Sequence, residues 1–299
     1  MKLLPRSVFP FILTMLATVA LAQTPAPQTP APDPSKTPTQ VPNPAAAPPP
    51  PLPADEYKNL SDISLELYYW KPSSAPQMRP GQTNIDGDSK TLYSGLNFQG
   101  STKAAEGVVV TAPAGRANQL EFEYFQTQQQ GNEIAPVNLT LFGQAYASGD
   151  VIASSTKIQH ARVTWKYLTY PDPAGARKFR LRTLWGFEWT QITARFDAPS
   201  DLNAAPVQGS RSIIFPTLGL GGEYHFTKKI YLEGKAEGFA WPHKAVQYDA
   251  ELRLLIRLYR QLDLIGGYKD FHFKTNPMKD YYLQDTLKGP YAGLRWTLK

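Results

Sequence analysis

The chain has 299 residues, of which 28 are proline and none cysteine, and its 31 Lys and Arg exceed its 25 Asp and Glu by a formal charge of +6. Without cysteine there is no disulfide framework, thiolate metal site, cysteine nucleophile or cysteine-linked lipid anchor. The positive excess is spread along the chain rather than gathered in one block, so nothing speaks for a nucleic-acid partner.

Residues 1–22 read as a secretory signal peptide. Lys2 and Arg6 supply a positive start, Val8 to Leu21 is apolar apart from Pro10, Thr14 and Thr18, and Ala20-Leu21-Ala22 is a small-x-small cleavage pattern. The apolar run falls short of the roughly 20 residues that a membrane helix needs. Residues 23–55 form a second regime: 13 prolines lie between Pro25 and Pro53, and no glycine occurs before Gly81. Such a composition cannot bury enough apolar surface to offset its ordering entropy, so this segment is predicted to be a disordered, proline-rich tether with polyproline II character. At about 3.1 Å per residue it reaches on the order of 90 Å. If periplasmic, it could engage the cell wall.

Residues 56–299 alternate apolar and polar side chains with period two, the mark of strands with two different faces. From Tyr248 to Leu258 the even positions carry Tyr248, Ala250, Leu252, Leu254, Ile256 and Leu258, while Asp249, Glu251, Arg253 and Arg257 fall on odd ones. Ile63, Leu65, Leu67 and Tyr69 oppose Glu66; Leu120, Phe122 and Tyr124 oppose Glu121 and Glu123; Val163, Trp165 and Tyr167 oppose Arg162 and Lys166. Phe179, Leu181, Trp185 and Phe187 oppose Arg180, Arg182 and Glu188, and a face of small residues from Gly234 to Ala240 opposes Glu233, Lys235 and Glu237. Ten strands are predicted, at 62–70, 104–111, 117–127, 154–170, 178–196, 210–226, 229–241, 245–259, 262–274 and 288–298. Counts of eight or twelve remain open, because 91–98 and 137–147 could add a hairpin and 104–111 alternates poorly.

Short links (112–116, 171–177, 227–228, 260–261) alternate with mostly longer ones (71–103, 128–153, 197–209, 275–287), the exception being 242–244. The strands are long for a soluble protein and suit a tilted bilayer crossing. Tyr68, Tyr69, Trp70, Tyr167, Tyr170, Trp241, Tyr259 and Tyr291 lie near strand ends, where interfacial girdles are expected. The fold class predicted is therefore all-β, an antiparallel transmembrane β-barrel with an even strand number and both termini in the periplasm. Placing basic residues against lipid would cost up to roughly 2–4 kcal/mol each near the midplane, so the charges must face the lumen.

The chain ends with Tyr291-x-Gly293-x-x-Trp296-x-Leu298. This resembles the polar-x-glycine-x-x-aromatic-x-hydrophobic signal that closes small Gram-negative outer-membrane β-barrels. The resemblance covers roughly residues 57–299 and implies an outer-membrane location, lipid contact through Leu294, Trp296 and Leu298, and the barrel assembly machinery as a partner. It implies no substrate.

The predicted lumen acids are Glu66, Glu121, Glu123, Glu188, Glu223, Glu233, Glu237, Asp249, Glu251 and Asp263; the bases are Arg162, Lys166, Arg180, Arg182, Lys235, Arg253, Arg257, Lys269 and Arg295. Near balance argues for mutual ion pairing rather than for the single-sign rings of a selective pore. The four histidines are His160, His225, His243 and His272. Barrel enzymes that modify lipids pair a histidine with a serine nucleophile, but the histidine-x-serine feature of the deacylases is missing. Asp270 and His272 share a strand face without an identified nucleophile. No catalytic, metal or cofactor site is predicted. The expected role is structural or ligand-interacting at the outer membrane. The alternatives are a narrow porin-like channel for small solutes or ions, a lipid-modifying enzyme around His272 or His225, and a secreted soluble β-sheet protein.

Overall fold

The computed structural model describes residues 62–74, 76–79, 95–115, 118–170, 178–199, 205–241, 245–275 and 282–298. The signal peptide, the tether and His243 lie outside the described residues, as does the side chain of Trp241. Fifteen strands occur: β1 (Ile63–Trp70), β2 (Gln77–Arg79), β3 (Leu96–Asn97), β4 (Gln99–Thr102), β5 (Ala105–Pro113), β6 (Asn118–Ile134), β7 (Leu139–Leu141), β8 (Gln144–Tyr146), β9 (Val151–Tyr170), β10 (Phe179–Asp197), β11 (Val207–His225), β12 (Ile230–Trp241), β13 (Ala245–Tyr259), β14 (Leu262–Lys274) and β15 (Tyr282–Leu298). Among the described residues there is no helix.

Ten of these strands form a closed antiparallel ring in the order β1, β5, β6, β9, β10, β11, β12, β13, β14, β15. The ring closes where β1 pairs β15, from Ile63 opposite Leu298 to Trp70 opposite Tyr291. Closure removes every unpaired edge, which is why such a sheet can stand in hydrocarbon. The predicted ten-strand barrel is thus the observed one.

The expected alternation decides which side chains meet lipid. Leu65, Leu67, Phe122, Val163, Trp165, Trp185, Phe187, Leu218, Leu252, Leu264, Leu294 and Trp296 are all exposed on the outer wall. On β13 this apolar face runs from Tyr248 to Leu258. At about 3.3 Å per residue and a tilt near 40° it is roughly 25 Å tall, the height of an outer-membrane hydrophobic band.

Several strands run well past that band. β9 has 20 residues, β10 and β11 have 19 each, and β6 and β15 have 17, against the 9–11 needed to span. Their outer face changes character above the band: Gln128 donates to Ser155 Oγ at 2.9 Å, Gln159 to Gln126 at 3.2 Å and Gln191 to Ser210 at 3.4 Å. The wall therefore projects beyond the membrane at the end opposite the short turns, here termed the loop end. The described parts of 71–103, expected as one long loop, contribute to this projection. β2 extends the wall along β15, β3 pairs β2, and β4 pairs β6. The uncertain stretch 137–147 does form a hairpin, β7 with β8, but as a separate two-stranded sheet off the ring. Its turn places Phe142 (φ 47°) and Gly143 (φ 90°) at positive φ, the geometry of a tight two-residue hairpin turn.

Candidate functional site

The candidate site is the lumen, which is filled in layers. Of the nineteen charged residues assigned to it from the sequence, eleven are buried: Glu66, Glu121, Glu123, Arg162, Glu188, Glu237, Asp249, Glu251, Arg253, Asp263 and Lys269. Lys166, Arg180, Arg182, Glu223, Glu233, Lys235, Arg257 and Arg295 are partly buried.

Arg162 on β9 is the hub. Its Nη1 lies 2.8 Å from Asp249 Oδ2, 2.7 Å from Glu237 Oε1 and 3.6 Å from Glu188 Oε1, and its Nη2 pairs with Glu123. Lys269 on β14 pairs with Glu123 and lies 3.2 Å from Asp249. Lys235 on β12 lies 3.1 Å from Glu121, 3.5 Å from Glu123 and 3.3 Å from Glu251. In the ring, β6 and β12 are four strands apart, as are β6 and β14, and β9 and β13. These ion pairs therefore cross the bore. Toward the turn end, Arg253 contacts Glu66 at 3.0 Å, Glu233 at 2.6 Å and Glu251 at 3.1 Å, while Arg295 contacts Glu66 at 3.1 Å and Glu233 at 3.0 Å. Arg257 pairs Asp263 at 2.9 Å. Buried charge is tolerable here because opposite charges stand against one another, and Glu188, 3.6 Å from Arg162, also accepts a hydrogen bond from Gln247.

Three tyrosine hydroxyls donate into this network. Tyr68 donates to Glu123 at 2.8 Å, Tyr231 to Asp263 at 2.7 Å, and Tyr291 to Glu251. This corrects the girdle expectation for Tyr68, Trp70 and Tyr291, all of which are buried inside the barrel. Parity explains it: Tyr68 and Trp70 follow Glu66 by two and four residues and so share its inward face. Tyr69, Tyr167, Tyr170 and Tyr259 are exposed on the outside.

Above the ion pairs lies an apolar layer. Trp70 meets Phe125 edge to face at 5.3 Å, and Phe125 meets Phe271 at 5.6 Å. His160 sits between Phe125 and Phe271, 4.8 Å from each ring, and its Nδ1 is 3.1 Å from Thr190 Oγ1. A second apolar cluster, including Met78, Leu96, Phe98, Leu141, Ile152 and Phe196, fills the loop end. Between the two, Gln129 on β6 donates to Asp285 on β15 at 2.7 Å, a buried bond between strands that are not neighbours in the ring.

Backbone spacing at the closing seam is set by Tyr68. A Cβ on Gly107 would fall within its ring, and one on Gly293 would lie 2.6 Å from Leu67 O and 2.9 Å from Tyr68 Cβ. Gly293 thus has a steric reason to be glycine. Leu294, Trp296 and Leu298 of the closing strand point outward.

Among the described residues, His225 and His272 form no acid–histidine–serine set. His272 is on the outer wall, stacked on Tyr248, with its Nδ1 2.7 Å from Thr286 Oγ1. His225 stacks on Tyr231 and bonds to Glu223. Among the described residues no serine hydroxyl is bonded to a histidine, and no cluster of metal-ligating side chains occurs.

At the turn end the lumen opens into a cavity of about 170 Å³, lined by Lys166, Arg180, Arg182, Glu223, Arg257 and others. The nineteen lumen charges divide unevenly around it: seven bases and four acids line the cavity, while two bases and six acids do not. Charge nearly balanced over the whole lumen thus leaves the cavity lining with an excess of bases.

No protein-family model matches the chain, and no curated protein sequence does. Among solved structures it is similar to the outer membrane protease OmpT from Escherichia coli, with a TM-score of 0.50 and 12% identity over 79% of this chain and 97% of that one. It also matches the transport unit of the autotransporter AIDA-I from Escherichia coli (TM-score 0.40, 7% identity, 82% and 92% covered). A third match is Ail, the attachment invasion locus protein of Yersinia pestis (TM-score 0.33, 10% identity, 79% and 99% covered). At these identities the likeness concerns the fold, which is that of an outer-membrane β-barrel.

Proposed function

We propose that this protein is a sealed outer-membrane barrel with a structural or ligand-interacting role, rather than a diffusion pore. In this reading the short turns and both chain ends face the periplasm, and the polar-walled loop end projects from the cell. The exported tether then stays on the periplasmic side, within reach of the cell wall, and the closing strand carries the signal read by the assembly machinery. The observation that carries the proposal is the set of ion pairs that cross the bore from one wall to the other, Lys235 to Glu121 and Arg162 to Asp249, backed by the Trp70–Phe125–Phe271 layer. An ion could pass only by breaking charge pairs and then entering an apolar constriction, each of which opposes conduction. Reconstitution into planar bilayers tests this: the purified protein is expected to be electrically silent, and steady single-channel steps would overturn the reading. Fractionation and heat-modifiable gel migration test the location; a soluble protein that does not shift on heating would refute it.

A further inference from the structure

We propose that the turn-end cavity is a binding site for a small multivalent oxyanion, held by Arg180 and Arg182. The inference rests on the closed-barrel reading, since a sealed lumen makes this basin a dead-end pocket rather than a vestibule.

Size limits the ligand. A buried water needs roughly 10–15 Å³ of such volume, so about 170 Å³ admits on the order of a dozen water-sized groups. That suits a di- or tricarboxylate or a phosphorylated small molecule and excludes a polymer chain. Charge selects its sign: seven lumen bases but only four lumen acids line the cavity, because Glu66 and Glu121, which pair with lining bases, are not themselves part of the lining.

Donor geometry identifies the residues. Arg180 and Arg182 lie two residues apart on β10 and project into the lumen together. Both rely on one carboxylate, Glu223, at 3.5 Å and 3.4 Å, well beyond the 2.7–2.9 Å or so of a strong charge-assisted bond. Arg182 has one further acceptor, the Gln119 side chain, and His225 also bonds Glu223. Two guanidinium forks offer ten donors between them, far more than a shared carboxylate and an amide can accept. Opposite Arg182 on β11 stands Gly221, which brings no side chain into the space beside it. The arrangement leaves planar donors turned toward an unfilled cavity, the geometry suited to bidentate contact with carboxylate or phosphoryl oxygens.

The test is calorimetric titration of the detergent-solubilised full-length protein at low salt with pyrophosphate and, separately, with citrate. One saturable site for either anion supports the proposal, and the stronger one assigns phosphoryl or carboxylate chemistry. The double variant Arg180→Gln/Arg182→Gln is expected to bind at least tenfold more weakly, while Arg195→Gln, on the exposed loop-end wall, binds as the unaltered protein does. Glu223→Gln is expected to bind several-fold more tightly, because it frees both guanidiniums; a misfolded barrel cannot mimic that direction. The proposal is overturned if neither anion gives a saturable site, if the double variant keeps full affinity, or if Glu223→Gln weakens binding. Conductance reports separately on the closed-barrel reading, so either can fail alone.

Discussion

Replacing Arg162 with Met removes the cation around which Glu123, Glu188, Glu237 and Asp249 are arranged. All five side chains are essentially inaccessible to water, so solvent screening does not soften the loss. Removing one partner of a buried pair typically costs about 3–5 kcal/mol, because the abandoned charge keeps its desolvation penalty. Lys269 still holds Glu123 and Asp249, which places the expected cost near the lower bound, about 3 kcal/mol. Guanidinium unfolding in detergent, followed by tryptophan fluorescence, reads this. With slopes of roughly 2–6 kcal/mol per molar, the midpoint should fall by about 0.5–1.5 M. Adding Glu188→Gln and Glu237→Gln to the Met variant removes the two charges that only Arg162 pairs and should restore at least about 1 kcal/mol. A loss under about 1 kcal/mol for the single change, or no recovery in the combined variant, would refute the claim that Arg162 neutralises the lumen. The same single variant should stay silent in planar bilayers, since the aromatic layer above it is untouched.

Leu252→Arg, on the lipid-facing wall of β13, should destabilise the barrel by about 2–4 kcal/mol, whereas Gln191→Arg, on the outer wall above the apolar band, should cost about 0–1; equal costs in unfolding titrations would misplace the band. Tyr68→Phe leaves Glu123 one donor short and should cost about 1–3 kcal/mol, measured the same way. Gly107→Val drives a side chain into the Tyr68 ring and should lose at least as much or fail to refold, as judged by heat-modifiable migration. Trp70→Ala, emptying a fully buried site beside Phe125, should cost about 3–5 kcal/mol; a stability change under about 1 kcal/mol would show that the apolar layer is loosely packed.

Much of the barrel was legible because period-two alternation is a property of the local chain. Tyr248 to Leu258 announced both its faces, and the ten strands could be counted from such runs and the turns between them. Local pattern weakened where both faces became polar. Gln128 to Gln130 reads as loop, yet β6 continues through it to Ile134, because β9 offers backbone partners along its whole length. Tyr68, Trp70 and Tyr291 were misplaced because nearness to a strand end suggested the interface, although their parity with charged neighbours already put them inside. The seal of Phe125, His160 and Phe271 had no sequence signal beyond inward parity.

Sequence alone determined the two faces of each strand and the near-neutral sum of the lumen charges, since both follow from residue order and composition. Only the tertiary structure decided where those charges stand. Closing ten tilted strands into a ring brings residues as distant as Glu121 and Lys235 within 3.1 Å, sets the depth at which each charge stands and leaves an excess of bases around the turn-end cavity. Chain order carries no information on that depth, because the height of a side chain in the bore depends on tilt and strand register across the whole barrel.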